Sequence, residues 1–300
     1  MERNILFLIN PISGKPRKSS PEKAIAIAAK KNNIKYSISP TDPSGNYVLL
    51  AERIKKEAFT DIVICGGDGT VNKVLFALLN LNTNVNIGII PLGSGNGLAF
   101  AAKIPKQFDK ALKIVFSGSP SLIDAFYIND RFSCMLSGLG FDAQVAHDFA
   151  LQKKRGLVTY IQQTLKNFIK APTYSFEIII DGRSFSTEAF CISIANSNQF
   201  GNNFKIAPKA ILDDGMLDII VMKKMSKHKL VGSVIRQLYS GHVKQNEALF
   251  DKGGIIYLQA DKIEIKNFSL APMHIDGDPV ETMHHLNIQI IPSAFRLLTP

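Results

Sequence analysis

The first 120 residues alternate between short apolar runs and amphipathic stretches, with turn-forming residues between them. Short apolar runs bounded by glycine, proline or asparagine are typical of buried strands, whereas apolar residues that recur every three or four positions predict helices. Strands are predicted at Ile5–Ile9, Lys35–Ser39, Asp61–Cys65 and Asn86–Ile90, and helices at Pro21–Asn32, Asn46–Glu57, Thr70–Leu79 and Gln107–Phe116. Strand, loop and helix repeated in this order predict a doubly wound α/β domain with a parallel sheet.

The pattern changes after about Ser121. Apolar and polar positions alternate over residues 174–180, an Asp-Gly turn follows, and a second alternation covers residues 190–194, which together predict a β-hairpin. Further strands are predicted at Leu217–Met222, Ile255–Leu258, Ile263–Ile265 and Leu286–Ile290, and a helix at residues 156–170. The second part is therefore predicted to be a mostly antiparallel β-sandwich. The predicted domains span residues 1–122 and 123–292.

Three glycine-rich loops directly follow predicted strands of the first domain. They are Asn10-Pro11-Ile12-Ser13-Gly14-Lys15, Gly66-Gly67-Asp68-Gly69-Thr70 and Pro91-Leu92-Gly93-Ser94-Gly95-Asn96-Gly97. Ligands bind at the carboxyl ends of strands in open parallel sheets. Glycine lets the backbone approach a phosphate closely, and the N-terminus of a following helix adds N–H donors. The three loops together predict a site that surrounds a polyphosphate.

Two common nucleotide motifs do not match these loops. Gly14-Lys15 is followed by Pro16 rather than by serine or threonine, which excludes a Walker A loop. Asn72 and Leu98 stand where a dinucleotide fingerprint has its third glycine. The loops therefore favour neither a P-loop nucleoside triphosphatase nor an NAD(P)-dependent dehydrogenase.

Composition narrows the expected partners and location. The chain has 35 basic and 25 acidic residues and a formal net charge of +10, which favours anionic partners such as nucleotides or an acidic membrane surface. Nucleic acid is not expected, because the basic stretches lack interleaved aromatic residues and the chain has no tryptophan. No apolar run approaches the ~20 residues that span a bilayer. The three widely spaced cysteines lie in apolar runs, which predicts buried, reduced thiols and a cytoplasmic location.

In their order and spacing, the segments N-P-x-S-G-K, G-G-D-G-T-V-N and P-L-G-S-G-N-G-L-A resemble the motifs of the diacylglycerol kinase catalytic-domain family. That family includes bacterial lipid kinases, sphingosine kinases and ceramide kinases. The resemblance covers the whole chain and implies an α/β domain joined to a β-sandwich, with residues 293–300 rejoining the first domain. It implies transfer of the γ-phosphate of ATP, assisted by Mg²⁺, to a lipid hydroxyl. Diacylglycerol is the first candidate substrate and phosphatidic acid the product.

The same resemblance implies a nucleotide-binding role for residues of all three loops. These are Asn10, Pro11, Ile12, Ser13, Gly14 and Lys15; Thr41, after the second strand; Gly66, Gly67, Asp68, Gly69, Thr70 and Asn72; and Gly93, Ser94, Gly95 and Asn96. Asp68 is also implied in Mg²⁺ binding and catalysis, because a carboxylate is a hard oxygen ligand.

Two acidic segments of the second domain also resemble family motifs. Asp276-Gly277-Asp278 is similar to a D-G-E motif whose acidic residue accepts the proton of the lipid hydroxyl, so Asp276 and Asp278 are both candidates. The segment around Asp214 is similar to a D-G-x-L-D segment that holds a structural Mg²⁺. By that match, Asp214 supplies a carboxylate, and Ile211 and Met216 supply carbonyl oxygens.

Two positions depart from the family's pattern, and they leave alternatives open. Lys73 stands where glutamate is usual, and Asp278 replaces the glutamate of D-G-E. The alternatives are an inactive nucleotide-binding protein and a kinase similar to NAD kinases or phosphofructokinases, which also carry a G-G-D-G loop. The basic segment at residues 223–229 is a candidate for peripheral contact with an anionic membrane. The oligomeric state stays open, with a homodimer as one alternative.

Overall fold

The computed structural model describes residues 2–13, 20–42, 44–81, 83–144, 171–199, 206–224 and 254–300. The chain divides into two compact units. The first unit comprises Met1–Ile123 and Ser293–Pro300, and the second comprises Asp124–Pro292. Gly14, Lys15, the predicted helix at residues 156–170 and most of the basic segment at residues 223–229 lie outside the described residues.

The first unit alternates strands and helices along the chain. Its elements are β1 (Asn4–Ile9), α1 (Pro21–Asn32), β2 (Lys35–Pro40), α2 (Val48–Glu57), β3 (Asp61–Gly66), α3 (Asp68–Asn80), β4 (Asn86–Pro91), α4 (Gly97–Ala101) and α5 (Phe108–Ser117). Strands β1 and β3 are buried along their whole length, which explains why they are continuous apolar runs rather than alternating patterns.

These strands form a parallel sheet in the order β2-β1-β3-β4. From β1 the chain passes outward to β2 and then returns to β3 on the other side of β1. A reversal of this kind is a topological switch point, and the loops after the two strands there diverge to leave room for a ligand. The loops that follow β1 and β3 contain two of the three glycine-rich segments.

Helix α3 begins two residues earlier than the sequence indicated. It starts at Asp68, with Gly67 as its N-cap, so Asp68 and Gly69 belong to the first helical turn and not to the loop. An aspartate in the first turn is favoured by the helix dipole, which compensates for the low helix propensity of glycine at the next position. The short helix α4 was not predicted, because the glycine-rich segment before it carries no helical periodicity.

The second unit consists mainly of strands. They are β5 (Ser119–Ile128), whose first residues belong to the first unit, β6 (Arg131–Ser133), β7 (Leu136–Gly140), β8 (Tyr174–Ile180), β9 (Arg183–Ala195), β10 (Leu217–Lys223), β11 (Ile255–Ala260), β12 (Lys262–Asn267), β13 (Met273–Ile275), β14 (Asp278–Val280) and β15 (His285–Thr299). Strands β8 and β9 form the predicted hairpin. The predicted fold class, an α/β domain followed by a mostly antiparallel β domain, is confirmed.

Strands β5, β6, β7, β13 and β14 were not predicted. Strand β5 has four consecutive buried residues, 123–126, strand β7 is buried at every position and contains two glycines, and β6, β13 and β14 have only three residues each. Neither kind of segment produces the alternation that identifies a half-buried strand. Strand β13 pairs with β7 on one side and with β14 on the other, and this pairing places the Asp276 segment at the end of a hairpin.

The described residues bear on three smaller expectations. Cys65, Cys134 and Cys191 are buried and free, as predicted. Within the described ranges, no helix is long and apolar enough to cross a membrane. The end of β15 pairs in parallel with β4, at Arg296 and Leu297.

Candidate active site

The predicted nucleotide residues of the first unit lie at the carboxyl ends of its parallel strands. The first loop (residues 10–13 as described) follows β1. The second glycine-rich segment, residues 66–70, contains the end of β3 and the first residues of α3, and the third, residues 92–96, joins β4 to α4. Thr41 follows β2, is buried, and donates its N–H to the carbonyl of Ile9. Because the strands are parallel, all these segments share one edge of the sheet.

Asn10 ties the first loop to the second. Its Nδ2 donates to Oγ1 of Thr70 over 2.8 Å, and its backbone N–H donates to the carbonyl of Cys65 over 2.9 Å. Its Oδ1 accepts the N–H of Ile12 over 3.0 Å. The side chain of Asn10 therefore shapes the loops, and the backbone of the first loop stays at the surface, where Pro11 and Ile12 are exposed.

The second and third loops touch through glycine. A Cβ atom built on Gly93 would lie 2.5 Å from Cα of Gly67, and one built on Gly66 would lie 2.7 Å from Cβ of Thr70. The backbone N–H of Asn96 also donates to Oδ2 of Asp68 over 2.6 Å. Gly67 and Gly93 thus allow the two loops to pack closely against each other, and Gly66 leaves room for the Thr70 side chain.

Asn96 shapes the third loop from within. It has a left-handed backbone (φ 62°) and is the N-cap of α4. Its Oδ1 accepts the N–H of Gly93 over 2.9 Å, and its Nδ2 donates to the carbonyl of Gly93 over 2.8 Å. The left-handed region is tolerated best by glycine and asparagine, so the residue type matches the turn. Ser94 is exposed at the tip of the same loop.

Lys73 lies beside the loop that follows β2. A Cβ atom built on Gly45 would lie 3.4 Å from Cδ of Lys73. Hydrogen bonds from the side chain and backbone of Ser44 hold the pKa of Asp42 below its usual value, and the positive charge of Lys73 adds to this effect. Lys73, which departs from the family pattern, thus has an acidic neighbour in Asp42, the residue next to Thr41. The sequence analysis did not anticipate this pair of opposite charges.

In the second unit, Asp276 and Gly277 form the turn between β13 and β14. Both have left-handed backbones, with φ of 49° and 88°. The Asp276 carboxylate accepts hydrogen bonds from Oγ of Ser133 over 2.6 Å and from three backbone N–H groups, each over 3.1 Å, of Cys134, Met135 and Leu136. Asp276 therefore fastens the turn to the segment between β6 and β7.

Asp278 differs from Asp276 in its surroundings. It is the first residue of β14, lies opposite Ile275 in the hairpin, and is exposed. Asp276, by contrast, is half-buried and is surrounded by donors. The donors around Asp276 occupy its carboxylate oxygens, whereas the side chain of Asp278 is exposed. The geometry therefore favours Asp278 over Asp276 as the group that meets a substrate.

The predicted structural metal residues lie in the loop before β10. Oδ1 of Asp214 accepts the N–H of Met216 over 3.1 Å, and the buried Asp124 accepts the N–H of Gly215 over 2.7 Å. Burial raises the pKa of Asp214, and the charges of Asp124 and Asp213 raise it further. Asp124 was missed by sequence reasoning, although an acidic residue inside the apolar run of β5 was a signal.

The donor set of this loop fits a hard cation in type. Carboxylate and carbonyl oxygens are the ligands that Mg²⁺ and Ca²⁺ prefer, and several clustered carboxylates gain from a nearby positive charge. Among the described residues, no group of three or more His, Cys, Asp or Glu side chains is arranged to hold a metal ion. A cation here would therefore depend on backbone carbonyls and water in addition to Asp214.

Comparison with known proteins agrees with this architecture. The family model for the diacylglycerol kinase catalytic domain matches residues 4–128. The model described as the YegS C-terminal NAD kinase beta sandwich-like domain matches residues 136–299. The two matches follow one another along the chain and correspond to its α/β part and its β part.

Proteins similar along most of their length carry the name diacylglycerol kinase. One from Staphylococcus aureus (strain MRSA252) is 26% identical over 282 residues, which cover 93% of this chain and 87% of the relative. One from Staphylococcus carnosus (strain TM300) is 24% identical over 283 residues, which cover 93% and 89%.

Solved structures show the same fold. The crystal structure of a diacylglycerol kinase from Bacillus anthracis (strain Sterne) covers 100% of this chain and 97% of its own, with a TM-score of 0.74 at 19% identity. Two other solved chains from that organism reach TM-scores of 0.83 and 0.81. At these identities the structural likeness concerns the fold. The family models match both units, and relatives named diacylglycerol kinase match along most of the chain. The chain therefore belongs to the diacylglycerol kinase catalytic-domain family and is an enzyme of the lipid kinase class.

Proposed function

We propose that this enzyme transfers the γ-phosphate of ATP to the free hydroxyl of diacylglycerol and forms phosphatidic acid. The observation that carries the proposal is the joining of the three glycine-rich loops at one sheet edge through Asn10–Thr70, Asp68–Asn96 and Gly67–Gly93. In a chain of this family, such an edge is suited to a triphosphate. Phosphoryl transfer depends mainly on positioning and on neutralising charge, and the loops offer both.

Nucleotide binding is assigned to the backbone of these loops. The side chains of Asn10 and Asn96 are engaged within the loops, and so are the backbone N–H groups of Asn10, Ile12, Gly93 and Asn96. The donors proposed for the phosphate oxygens are therefore N–H groups of the glycine-rich segments that make no such bond. The first turn of α3 begins at the second loop and adds a partial positive charge. The predicted residues Pro11, Ile12, Ser13, Gly69, Asn72, Ser94 and Gly95 border this edge, and their nucleotide contacts remain proposals.

The proposed Mg²⁺ that accompanies ATP would be held by Asp68. Its carboxylate lies at the second loop and is a hard oxygen donor, and the N–H of Asn96 fixes its orientation. The ion would neutralise charge on the transferred group. A second, structural Mg²⁺ is proposed at Asp214 with the carbonyls of Ile211 and Met216, on the donor chemistry described above.

The proposed reaction uses Asp278 as the proton acceptor. The hydroxyl oxygen of the lipid forms a bond to the γ-phosphorus while the bond between that phosphorus and the β,γ-bridging oxygen breaks, and ADP leaves with the electron pair. The hydroxyl proton passes to the Asp278 carboxylate and from there to water. Aspartate is one methylene shorter than the glutamate usual at this position, which demands a closer approach of the lipid hydroxyl.

The lipid is proposed to come from an anionic membrane surface that the enzyme contacts peripherally from the cytoplasm. The net charge of +10 supports this contact, since each cation near such a surface contributes about 1 kcal/mol. A homodimer is compatible with the proposal and is not required by it.

The test is transfer of labelled phosphate from ATP to lipids in mixed micelles. The panel contains diacylglycerol, monoacylglycerol, phosphatidylglycerol, sphingosine and ceramide, with NAD as the soluble alternative suggested by the second family model. We expect labelled phosphatidic acid. Labelling of another lipid alone would replace the substrate but keep the class, whereas labelling of NAD alone would contradict the proposal.

The structural metal has a test that does not depend on activity. We expect Mg²⁺ to raise the melting temperature of the wild type and to leave that of Asp214→Ala unchanged, because the variant lacks the only side-chain ligand proposed. Asp213→Ala is the matched control, since it removes a neighbouring charge but no proposed ligand. If Mg²⁺ does not change the melting temperature of the wild type, the proposed structural Mg²⁺ site at Asp214 is wrong.

A further inference from the structure

A buried histidine lies directly behind the turn formed by residues 276–278. His274 of β13 is fully buried, and its Nδ1 accepts the backbone N–H of Gly277 over 3.2 Å. Because a backbone amide only donates, Nδ1 must act as the acceptor, and the proton of the neutral ring is then on Nε2. His274 thus binds the backbone of Gly277, which stands between Asp276 and Asp278.

The other side of the ring faces a buried carboxylate. Nε2 of His274 lies 3.7 Å from Oδ2 of Asp142, and the same oxygen accepts a hydrogen bond from Oγ of Ser193 over 2.8 Å. Asp142 and Ser193 are both buried. Buried polar groups are costly unless they have partners. Ser193 and Asp142 are partners through their hydrogen bond, and the 3.7 Å between Nε2 of His274 and Oδ2 of Asp142, which is longer than a hydrogen bond, brings the ring against this pair. We call these three residues next to the turn the buried network.

The strand register explains how these residues meet. Ser193 of β9 lies opposite Gly138 of β7, which in turn lies opposite His274 of β13. A Cβ atom built on Gly138 would lie 2.0 Å from Oδ2 of Asp142. The absence of a side chain at Gly138 therefore leaves the space in which the Asp142 carboxylate sits, between the serine and the histidine.

Turn formation does not itself need this histidine. The hairpin of β8 and β9 contains an equivalent turn, in which Asp181 and Gly182 have φ of 50° and 72°. Two residues before Asp181 stands Ile179, whereas two residues before Asp276 stands His274. The sequence Asp-Gly is sufficient to form this backbone turn. The buried network therefore has an effect on the 276–278 turn other than its formation.

We propose that His274 is a positioning residue for phosphoryl transfer, and that it fixes the Gly277 amide so that Asp278 is held at one place and orientation. Asp142 and Ser193 fix the ring in turn. This inference rests on the proposed role of Asp278 as proton acceptor. A proton acceptor must lie within hydrogen-bonding distance of the hydroxyl, and displacement by about 1 Å can lower the rate by as much as 10²-fold.

Two substitutions of similar size distinguish the contact from mere filling of space. In His274→Asn, the side-chain oxygen takes the place of Nδ1 and can still accept the N–H of Gly277. In His274→Gln, the amide reaches the place of Nε2, towards Asp142, and the contact with Gly277 is lost. Both variants bury a neutral amide, so a purely structural role predicts similar effects.

We expect kcat to fall at least about tenfold in His274→Gln and to be largely retained in His274→Asn, with the Kd for ATP unchanged in both. Hydrogen exchange of the Gly277 amide, followed by NMR with labelled glycine, should remain slow in His274→Asn and become fast in His274→Gln. His285→Gln is the matched control, because His285 is an exposed histidine of β15 whose contact is with Glu264. It should change neither kcat nor the exchange of Gly277.

Ser193→Ala keeps the proposal testable if the His274 variants do not fold. It removes only the hydroxyl that holds Asp142, and we expect kcat to fall about threefold without a change in the Kd for ATP. Equal kcat values for His274→Asn and His274→Gln in an enzyme whose wild type is active would overturn the role of His274 alone. A wild type that transfers phosphate to no lipid would overturn the proposed function, and the kinetic role of His274 with it.

Discussion

The three glycine-rich loops of the first unit and the 276–278 turn of the second hold their polar groups in opposite ways. In the loops, Asn10 and Asp68 direct their side chains at a neighbouring loop and Asn96 directs its side chain at its own loop, which leaves the backbone as the surface a ligand would meet. In the turn, the Asp276 carboxylate and the His274 ring bond to neighbouring protein groups and anchor the turn, whereas the side chain of Asp278 is exposed at the surface.

The difference matches two kinds of chemistry. A triphosphate offers many equivalent oxygens, and a curved backbone with several N–H donors can bind them without any single decisive side chain. Proton transfer involves one atom of the protein and one of the substrate, so it depends on the exact place of one carboxylate. The comparison predicts that backbone changes in the loops act on ATP binding and that changes in the turn act on turnover.

The largest effect is expected from the turn. Asp278→Asn should lower kcat by about 10²–10⁴-fold, because an amide cannot accept the hydroxyl proton. Asp276→Asn should instead lower the free energy of unfolding by about 1–3 kcal/mol, because it disturbs the donors that surround that carboxylate. Kinetics and urea denaturation of both variants separate these roles. The control is Asp181→Asn in the equivalent turn, and the reverse result, with Asp278→Asn active, would reassign the proton acceptor.

The next prediction concerns whether one side chain of the loops, that of Asp68, is essential for turnover. Asp68→Asn should lower turnover at least about 10²-fold while leaving the fold intact, because an amide oxygen can still accept the N–H of Asn96 but binds Mg²⁺ poorly. Asp109→Asn is a matched control, since Asp109 also lies in the first turn of a helix, α5. Unchanged turnover in a folded Asp68→Asn variant would remove this residue from the site.

A backbone change in the loops should act on binding. Gly93→Ala places a methyl group 2.5 Å from Cα of Gly67, so the second and third loops must separate, and we expect the Kd for ATP to rise about tenfold. Gly182→Ala is the control, because it adds a methyl group in open space and strains a left-handed backbone by about 1–2 kcal/mol. Isothermal titration with ATP should show a change only for Gly93→Ala.

The smallest effect concerns the departure at Lys73. Lys73→Glu brings a negative charge towards Asp42 and should loosen the loop that contains Thr41, raising the KM for ATP about two- to fivefold. Combining it with Asp42→Lys, which restores opposite charges, should recover part of the loss. If Lys73→Glu instead tightens ATP binding, the lysine weakens the site and the family's usual glutamate is the better residue here.

The sequence predicted strands β1, β3 and β4 of the α/β unit well because they are buried along almost their whole length. Strand β3 is a continuous apolar run between Asp61 and Gly66, and its start at Asp61 agrees with the prediction. The ends of helices were less certain. Helix α2 starts at Val48 rather than Asn46, and α3 starts at Asp68 rather than Thr70, because capping depends on tertiary contacts as well as on local sequence.

The site could be located from the sequence, but its internal contacts could not. The glycine loops identified the edge of the sheet, whereas the bond between Asp68 and Asn96 joins residues 28 positions apart. The link between Ser133 and Asp276 joins residues 143 positions apart. Periodicity is a local signal and carries no information on such pairs. For the same reason, only the register of β13 and β7 shows that His274 lies near Asp142 and Ser193.

The central claim is that ATP binding belongs to the loops and proton acceptance to the turn. Calorimetric titration of Asp278→Asn with ATP and Mg²⁺, with phosphate transfer to diacylglycerol measured on the same preparation, tests it most directly. The account predicts a Kd for ATP equal to that of the wild type together with a turnover lower by about 10²-fold or more. A folded variant that transfers phosphate at the wild-type rate, or one that no longer binds ATP, would contradict it.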